Sequence, residues 1–210
     1  MLSYPIDPSI PQRILRLNSK EITCVFTSSN GMNKGQITRL WDSIALTSLE
    51  KEVLTALRLV APGVEGLSFV SAPLSDAKER NPIVKITDIE EPLPLFSLGD
   101  GMQRVLGISL ALVNARDGIL LIDEFENGLY YFAQPHLWRF IFRVAQRLNI
   151  QVFATTHSWD CIEAFQKAAQ ENEQEEGILV RLSLRKGEVA ATLFDEEELG
   201  IATREQIEVR

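Results

Sequence analysis

The sequence contains little cysteine. Only two of its 210 residues are cysteines, Cys24 and Cys161, and they stand alone without a Cys-x-x-Cys pair. Disulfide-stabilised small domains and cysteine zinc sites need several cysteines at short, regular spacings. The sequence therefore excludes both of these classes and predicts two free thiols.

Long apolar runs are missing as well. Residues 118–122 and the other apolar runs are far shorter than the ~20 apolar residues that a membrane-spanning helix requires. Residues 1–5 also lack the basic start and the following apolar stretch that mark a secretory signal peptide. These absences predict a cytoplasmic protein with no membrane partner.

Positive charge is in short supply. The chain has 21 Lys and Arg against 29 Asp and Glu, a formal net charge of −8, and acidic residues cluster at 171–176 and 195–198. A net negative surface disfavours broad electrostatic wrapping of nucleic acid, although a local basic site stays compatible with it. Acidic runs of this kind are most often solvated loops or helix starts.

The remaining composition is that of an ordinary globular domain, with 45% hydrophobic residues. A chain of this length can bury a full apolar core. Apolar residues at helical spacing predict one long helix over 36–61, ended by Pro62 and Gly63. Strand patterns occur at four places in the first half of the chain: 13–17, 21–28, 67–70 and 83–86.

From residue 92 onward, helical and strand patterns alternate. The helical patterns span 102–115, 134–148 and 160–169, the strand patterns span 118–122 and 152–155, and a hairpin pattern spans 178–184 and 189–194. The run 118–122 is apolar throughout, as is typical of a strand covered on both faces. This alternation predicts a parallel sheet in a doubly wound α/β domain.

Two adjacent carboxylates follow the most apolar strand pattern. Asp123 and Glu124 come directly after Gly118-Ile-Leu-Leu-Ile, so both are expected at the carboxyl edge of the sheet, where open α/β sheets bind their ligands. One carboxylate can hold Mg²⁺ while its neighbour polarises an attacking water. Many strands also end in solvated acids, so the pair alone does not identify a catalytic site.

A glycine-rich turn opens the helix that precedes this strand. Ser97-Leu-Gly99-Asp100-Gly leads straight into the helical pattern. Backbone amides at a helix N-terminus attract phosphate, and a serine hydroxyl adds a further donor. The simpler alternative is an ordinary helix start, in which Ser97 or Asp100 caps the helix and Gly99 serves the turn.

A histidine follows the next strand pattern. His157 lies just beyond 152–155, within Thr-Thr-His-Ser, and parallel pairing would bring it to the same edge as Asp123 and Glu124. An imidazole at this edge can hydrogen-bond a terminal phosphate. As an isolated residue, it would more often be a simple loop histidine.

Together, the three segments resemble the ABC-type ATPases. In that family, Ser-x-Gly-Asp before a helix is the signature loop, an apolar strand ending in Asp-Glu is the Walker B strand, and Thr-Thr-His-Ser carries the switch histidine. The run DEFENGLY, residues 123–130, looks like the SMC/RecF/OLD-like branch of AAA-family ATPases, which commonly reads DE-x-E-N-G-L-H here. The resemblance covers residues 96–169 and implies a P-loop NTPase fold.

The resemblance also implies a role for each matching residue near the catalytic centre. Asp123 would organise Mg²⁺, Glu124 would be the general base, and His157 would sense the γ-phosphate of ATP. Glu126 is shared with the branch and would be either an outer ligand or only a solvated residue. Tyr130 replaces the histidine that is usual there, which leaves the role of that side chain open.

Other matching residues imply a dimer. Ser97, Gly99 and Asp100 would bind the nucleotide held by an opposing subunit. Asn127 and Gly128 would belong to the D-loop at the dimer seam. The resemblance thus implies a second ATPase subunit, either the same chain or a different one, as the partner.

One part of the family pattern is missing from the sequence. No G-x-x-x-x-G-K-[ST] phosphate loop occurs, and the nearest candidate, GMNKGQ at 31–36, has the wrong order and spacing. We therefore interpret the sequence as the carboxyl-terminal part of an ATPase domain, incomplete at its N-terminus. Residues 1–95 would form strands and a helical lid, 96–170 the core with the three signature segments, and 171–210 an acidic hairpin and tail.

Three functions compete. The favoured one is ATP hydrolysis at a head-to-tail dimer interface, with ATP and Mg²⁺ as cofactors and the phosphate loop supplied elsewhere. The alternative is a non-catalytic regulatory or dimerisation partner of an intact ATPase, which would not need Asp123, Glu124 and His157. A nuclease of the OLD type is disfavoured because no Asp-x-Asp pair follows residue 169. A nucleic-acid partner and a role in DNA repair or phage defence rest on family analogy alone.

Overall fold

The computed structural model describes residues 22–71, 80–171, 177–185, 187–205 and 207. These residues form eight strands and six α-helices: β1 (Cys24–Thr27), α1 (Lys34–Asp42), α2 (Ser48–Arg58), β2 (Val64–Ser71), β3 (Arg80–Ile86), β4 (Leu93–Pro94), α3 (Asp100–Asn114), β5 (Ile119–Ile122), α4 (Ala133–Leu148), β6 (Gln151–Ala154), α5 (Trp159–Gln170), β7 (Leu179–Arg185), β8 (Glu188–Phe194) and α6 (Glu196–Arg204). A 3₁₀ turn, Leu95–Leu98, precedes α3. The strand pattern at 13–17 lies outside the described residues. None of the described helices is both long enough and apolar enough to cross a lipid bilayer.

The predicted parallel sheet is confirmed. Strand β5 lies between β1 and β6 and is parallel to both. The register pairs Ile122 with Thr27 on one side and with Ala154 on the other, so the three strands end at the same level. The segments that follow the strands therefore leave from one edge of the sheet.

Helices α3 and α4 cover one face of this sheet. Leu120 and Ile122 of β5 point into the core that these helices form and are almost completely buried. On the opposite face, Phe26 and Phe153 are 54% and 51% exposed. Within the described ranges, the second helical layer of the expected doubly wound arrangement is therefore absent.

Helix α3 runs through the centre of the molecule. It packs against α1, α2 and α4 and also contacts β1 and β5. Its side chains are buried on all sides, as the apolar pattern predicted. One residue breaks that pattern, because Arg104 is charged and yet only 6% exposed.

The single long helix predicted over residues 36–61 is wrong. The structure has two helices there, with Leu46 between them in a left-handed conformation (φ 62°) and 98% exposed. The Thr47 side chain then caps α2 by accepting a hydrogen bond from the backbone N–H of Leu49. Both helices bury their apolar faces in the same core, so the helical spacing continues across the break and hides it.

A second, antiparallel sheet of order β2-β3-β4 lies beside the parallel one. It confirms the strand patterns at 67–70 and 83–86 and extends both. The ring of Trp41 in α1 stacks on that of Phe69 in β2, with 5.2 Å between the centroids. Helix α2 contacts both β2 and α3, so it joins this sheet to the core.

The carboxyl-terminal hairpin is confirmed as the β7–β8 pair, but the acidic tail contains an unexpected helix, α6. The Asp195 side chain caps α6 by accepting a hydrogen bond from the backbone N–H of Glu198 at 2.8 Å. Three glutamates in its first turn complement the positive end of the helix dipole. Leu199 and Ala202 bury against Ile162 of α5, which holds the helix on the molecule.

Candidate active site

Three chain segments meet at the carboxyl edge of the parallel sheet. The backbone N–H of Asp123 donates to the carbonyl oxygen of Thr27, and that of Thr155 donates to the carbonyl oxygen of Ile122, each at 2.9 Å. The strand pairing thus continues by one residue into the following segments. Asp123, Glu124 and His157 are brought to a single edge, as the sequence predicted.

Thr155 holds the Asp123–Glu124 pair in place. The backbone N–H of Glu124 donates to Oγ1 of Thr155, and this hydroxyl donates in turn to Oδ1 of Asp123, both at 2.9 Å. The backbone N–H of Phe125 donates to the carbonyl oxygen of Thr155, also at 2.9 Å. The two acidic residues therefore have defined positions relative to β6.

Glu124 has an unusual backbone conformation. Its φ is 45°, in the left-handed region that residues with a side chain rarely adopt. Such a conformation costs about 1–3 kcal/mol and persists where the surroundings hold it. Thr155 holds this residue from one side, and Arg104 holds it from the other.

Arg104 reaches three carbonyl oxygens from α3. Its Nη1 donates to the carbonyl oxygen of Ser28 at 2.6 Å, and its Nη2 donates to those of Asp123 and Glu124 at 2.7 Å each. Burial lowers the pKa of the Arg104 guanidinium, while the carboxylates of Asp123, Glu126 and Glu124 act in the opposite direction. The guanidinium of an arginine remains protonated in proteins, so a buried positive charge lies against the backbone of Asp123 and Glu124.

Glu126 connects the acidic segment after β5 to the histidine segment after β6. Its Oε1 accepts a hydrogen bond from the backbone N–H of His157 at 2.8 Å. Its Oε2 is buried and has no hydrogen-bond partner among the described residues. A carboxylate oxygen in that position is costly to leave unpaired. Of the two roles left open for Glu126, a purely solvated one does not fit this environment.

Asn127 and Gly128 pack against the start of α3. The Nδ2 of Asn127 donates to the carbonyl oxygen of Ser29 at 3.0 Å. A Cβ added to Gly101 would lie 3.0 Å from the carbonyl oxygen of Gly128, so the two backbones are in close contact. A cavity of about 270 Å³ lies beside this contact and is lined by Thr27, Ser29, Asn30, Gly31, Met32, Ile37, Asp100, Gln103, Arg104, Gly107, Asn127 and Gly128.

The turn before α3 is exposed. Ser97, Gly99 and Asp100 all face solvent, and Gly99 has a left-handed φ of 91°. Gly99 itself is the N-cap residue, and no side chain of the described residues caps α3, so the simple capping role for Ser97 or Asp100 is not observed. The Asp100 carboxylate accepts a hydrogen bond from Nε2 of Gln103 at 3.3 Å instead.

Sequence reasoning missed Arg104 and Thr155. The available signal for Arg104 was a charged residue inside a helical stretch that is otherwise apolar on all sides. The signal for Thr155 was its register, because parallel pairing of the two predicted strands places it opposite Asp123. Neither residue type is diagnostic alone, so only the predicted register could have identified Thr155.

Tyr130, which replaces the histidine usual in the family pattern, begins an exposed aromatic cluster. Tyr130, Tyr131 and Phe132 are 66%, 49% and 61% exposed. The rings of Tyr130 and Tyr131 meet edge to face with 4.8 Å between centroids. Along the chain, one residue, Leu129, separates the aromatic cluster from Gly128.

The acidic edge fits a Mg²⁺ ion that is held jointly with a nucleotide. The described residues contain no group of three or more His, Cys, Asp or Glu side chains that could enclose a metal ion. Mg²⁺ in nucleotide sites uses one or two carboxylates and takes its other ligands from phosphate oxygens and water. Asp123, with one carboxylate oxygen oriented by the Thr155 hydroxyl, offers a carboxylate of this kind.

Part of the chain is similar to known proteins. Residues 69–160 match the family described as "AAA domain, putative AbiEii toxin, Type IV TA system". A curated protein of Helicobacter pylori (strain ATCC 700392 / 26695), described as an ATP/GTP phosphatase, is 33% identical over 93 residues. That alignment covers 43% of this chain and 25% of the relative, so the chain spans about a quarter of the length of this relative.

Solved structures agree with the fold. One, of an SMC ATPase described by its ATP-driven dimerization and DNA-stimulated activation, gives a TM-score of 0.53 at 11% identity and covers 85% of this chain and 99% of its own. This chain has the fold of an SMC ATPase head. A second, an Smc head bound to the C-winged helix domain of ScpA, gives 0.52 at 10% identity and covers 73% of this chain and 44% of its own.

The resemblance to ABC-type, SMC-like P-loop ATPases is therefore confirmed. The family match ends at residue 160 and thus includes Ser97, Asp123, Glu124 and His157. Residues 69–160 of the chain thus resemble an ATPase-family domain.

Proposed function

We propose that this ATPase-family domain contributes the hydrolytic side of an ATP site that forms at a head-to-tail dimer interface. One observation carries the proposal. Asp123 and Glu124 lie at the carboxyl edge of a parallel sheet, where Thr155, the residue after β6, and Arg104 of helix α3 hold the backbone of Glu124, and Thr155 also orients the Asp123 carboxylate. Preorganised carboxylates at this edge are what phosphoryl transfer to water requires.

Glu124 is the proposed general base. ATP hydrolysis needs a group that takes a proton from water as the water attacks the γ-phosphate. Glu124 suits this task because its backbone is held on both sides, which limits the positions that its carboxylate can take. Asp123 would hold Mg²⁺, which neutralises charge on the phosphate oxygens when it is bound.

His157 is the proposed sensor of the γ-phosphate. Its backbone N–H is tied to the Glu126 carboxylate, which ties the histidine segment to the acidic one. The side chain would donate a hydrogen bond to a phosphate oxygen. Glu126 thus links the residue that would contact the phosphate to the segment that would activate the water.

Ser97, Gly99 and Asp100 are proposed to act on the ATP of a second subunit. They are exposed and, among the described residues, take no part in the hydrogen bonds around Asp123 and Glu124. Asn127 and Gly128 adjoin this turn and would lie at the dimer seam. The ATP-driven dimerization by which one SMC ATPase neighbour is described supports such a partner, either a second copy or a related chain.

ATP binding also needs a phosphate loop, and the sequence contains no G-x-x-x-x-G-K-[ST]. We propose that another polypeptide segment supplies it, and we call the combination the reconstituted ATPase. A nucleic-acid partner, a role in DNA repair or phage defence, and a cytoplasmic location are proposed by analogy, the first of them with the DNA-stimulated SMC ATPase.

Replacing Glu124 by glutamine tests the proposal. In the reconstituted ATPase, Glu124→Gln should lower the hydrolysis rate by at least ~100-fold, because glutamine cannot accept the proton from water. ATP binding, measured by calorimetry, should be retained. The matched control is Glu197→Gln on the exposed first turn of α6, which should change neither quantity.

Two results would count against the proposal. Unchanged turnover in Glu124→Gln would remove this residue from the base role. A wild-type assembly that binds ATP without hydrolysing it would favour the alternative function, a non-catalytic regulatory partner that lends its signature turn to an intact ATPase.

A further inference from the structure

We infer that Arg104 is a positioning residue that sets the orientation of Glu124 and couples it to the loop that follows β1, residues 28–31. This inference rests on the proposed role of Glu124 as the base. It concerns a side chain that is only 6% exposed.

The first argument is the geometry around Glu124. The carbonyl of Asp123 belongs to the peptide unit before the Glu124 Cα, and the carbonyl of Glu124 belongs to the peptide unit after it. Nη2 of Arg104 donates to both oxygens at 2.7 Å. One nitrogen therefore fixes both peptide planes whose relative rotation defines the left-handed conformation of Glu124 (φ 45°). The direction of the Glu124 side chain follows from that rotation.

The second argument is that Arg104 leaves the acidic side chains free. Its guanidinium bonds are to backbone carbonyl oxygens and not to the carboxylates of Asp123 or Glu124. A direct ion pair would compete with Mg²⁺ and with the attacking water for these carboxylates. Arg104 thus acts on Glu124 through the backbone, and its own side chain is only 6% exposed.

The third argument is the link to the loop after β1. Nη1 of the same planar group donates to the carbonyl oxygen of Ser28 at 2.6 Å. Asn127 makes a second tie to this loop through the carbonyl oxygen of Ser29. A guanidinium is rigid, so a displacement of the loop is transmitted to the peptide planes that flank Glu124. A lysine has one flexible ammonium group and cannot span all three oxygens in the same way.

Turnover of the reconstituted ATPase tests the inference. Arg104→Met should lower kcat by about 100-fold with KM for ATP nearly unchanged, because a misplaced base slows chemistry without removing a nucleotide contact. Arg104→Lys should recover part of the lost kcat. It also provides a second variant in case Arg104→Met does not fold. Leu106→Ala is the matched control, since it opens the same helix core without touching these carbonyls.

Hydrogen exchange on the 210-residue chain gives a readout that does not depend on hydrolysis. In Arg104→Met, the amides of residues 123–127 and of Gly31 should exchange at least about tenfold faster, while α4 keeps its protection. Leu106→Ala should instead raise exchange across α3 and α4 together. Equal exchange at 123–127 in wild type and Arg104→Met would overturn the inference.

The two proposals fail in different ways. If Glu124→Gln abolishes hydrolysis and Arg104→Met keeps the wild-type kcat, the positioning role is wrong and the proposed function stands. If Glu124→Gln hydrolyses normally, the proposed base is wrong, and the positioning of a base by Arg104 falls with it, whatever the exchange data show.

Discussion

The segment after β5, residues 123–128, and the turn before α3, residues 97–100, touch each other but are built in opposite ways. The first is held by side chains from two other elements, Arg104 and Thr155, and contains the strained Glu124 backbone. The second is exposed, and its glycine-led helix start has no side-chain cap among the described residues.

Under the proposed function, the difference matches two separate tasks, the activation of water and the binding of phosphate. A carboxylate that activates water must keep one position, so hydrogen bonds from the surrounding protein hold its segment in place. A helix start that binds a phosphate from another subunit needs free amides that face outward. Under the proposed function, the chain would carry a fixed side for hydrolysis and an open side for phosphate binding, as a site shared between two subunits requires.

Of the substitutions that distinguish these two regions, Thr155→Val should have the largest effect. The change keeps the shape of the side chain and removes both hydrogen bonds of the hydroxyl, to the Glu124 amide and to the Asp123 carboxylate. We expect the unfolding free energy to fall by about 1 kcal/mol. The hydrolysis rate of the reconstituted ATPase should fall by at least about tenfold, because a misplaced carboxylate slows the reaction.

Thr55→Val is the control for that experiment. Thr55 lies on α2, and among the described residues its hydroxyl donates only to the local carbonyl oxygen of Lys51. It should cost little stability and no activity. A Thr155→Val variant that keeps full activity would show that the fixed segment does not depend on this hydroxyl.

Gly101→Ala tests a close contact between the start of α3 and the segment after β5. Its Cβ would lie 3.0 Å from the carbonyl oxygen of Gly128, so the two segments must move apart by a few tenths of an ångström. We expect a loss of about 1 kcal/mol in unfolding free energy, measured by denaturant titration. Gly107→Ala is the control, because a Cβ there meets nothing within 4 Å. Equal stabilities of the two variants would mean that the contact carries no strain.

The smallest expected effect concerns the buried thiol of Cys161 on α5. Burial raises the pKa of the Cys161 thiol to about 11. Because the folded state disfavours the thiolate, this stabilising contribution is fully present below pH ~8.5 and is lost as the pH rises through 11. The free energy of unfolding should decline as the pH rises from ~8.5 to about 11, and this decline should be shallower in Cys161→Ala.

Alkylation gives an internal comparison for the same thiol. At pH 8, iodoacetamide should label the exposed Cys24 and spare Cys161 until the protein unfolds. Early labelling of Cys161 would show that the core around α5 opens readily, which would contradict the burial of this thiol.

The sequence predicted the parts of the site that depend on strand ends. The apolar runs before Asp123 and before His157 define two buried parallel strands, and their common edge follows from the α/β pattern. The same local reasoning found α3 and the β7–β8 hairpin. The dimer roles of Ser97, Gly99, Asp100, Asn127 and Gly128 came only from the family resemblance, and these roles stay predictions.

Other features depend on contacts between distant segments and could not be predicted from the sequence. Arg104 reads in sequence as one charge on an apolar helix, and its three acceptors are backbone oxygens that carry no residue signature. The break at Leu46 leaves the apolar spacing intact on both sides. Helix α6 begins with an acidic run that looks solvated, and only Leu199 and Ala202 reveal its buried face.

Complementation between two inactive variants tests the shared site most directly. Ser97→Arg and Glu124→Gln should each abolish hydrolysis alone in the reconstituted ATPase. In a mixed head-to-tail dimer, one site combines the wild-type Glu124 of one subunit with the wild-type Ser97 of the other. Mixing equal amounts should therefore restore hydrolysis to about a quarter of the wild-type rate. A mixture as inactive as its two parents would contradict the account.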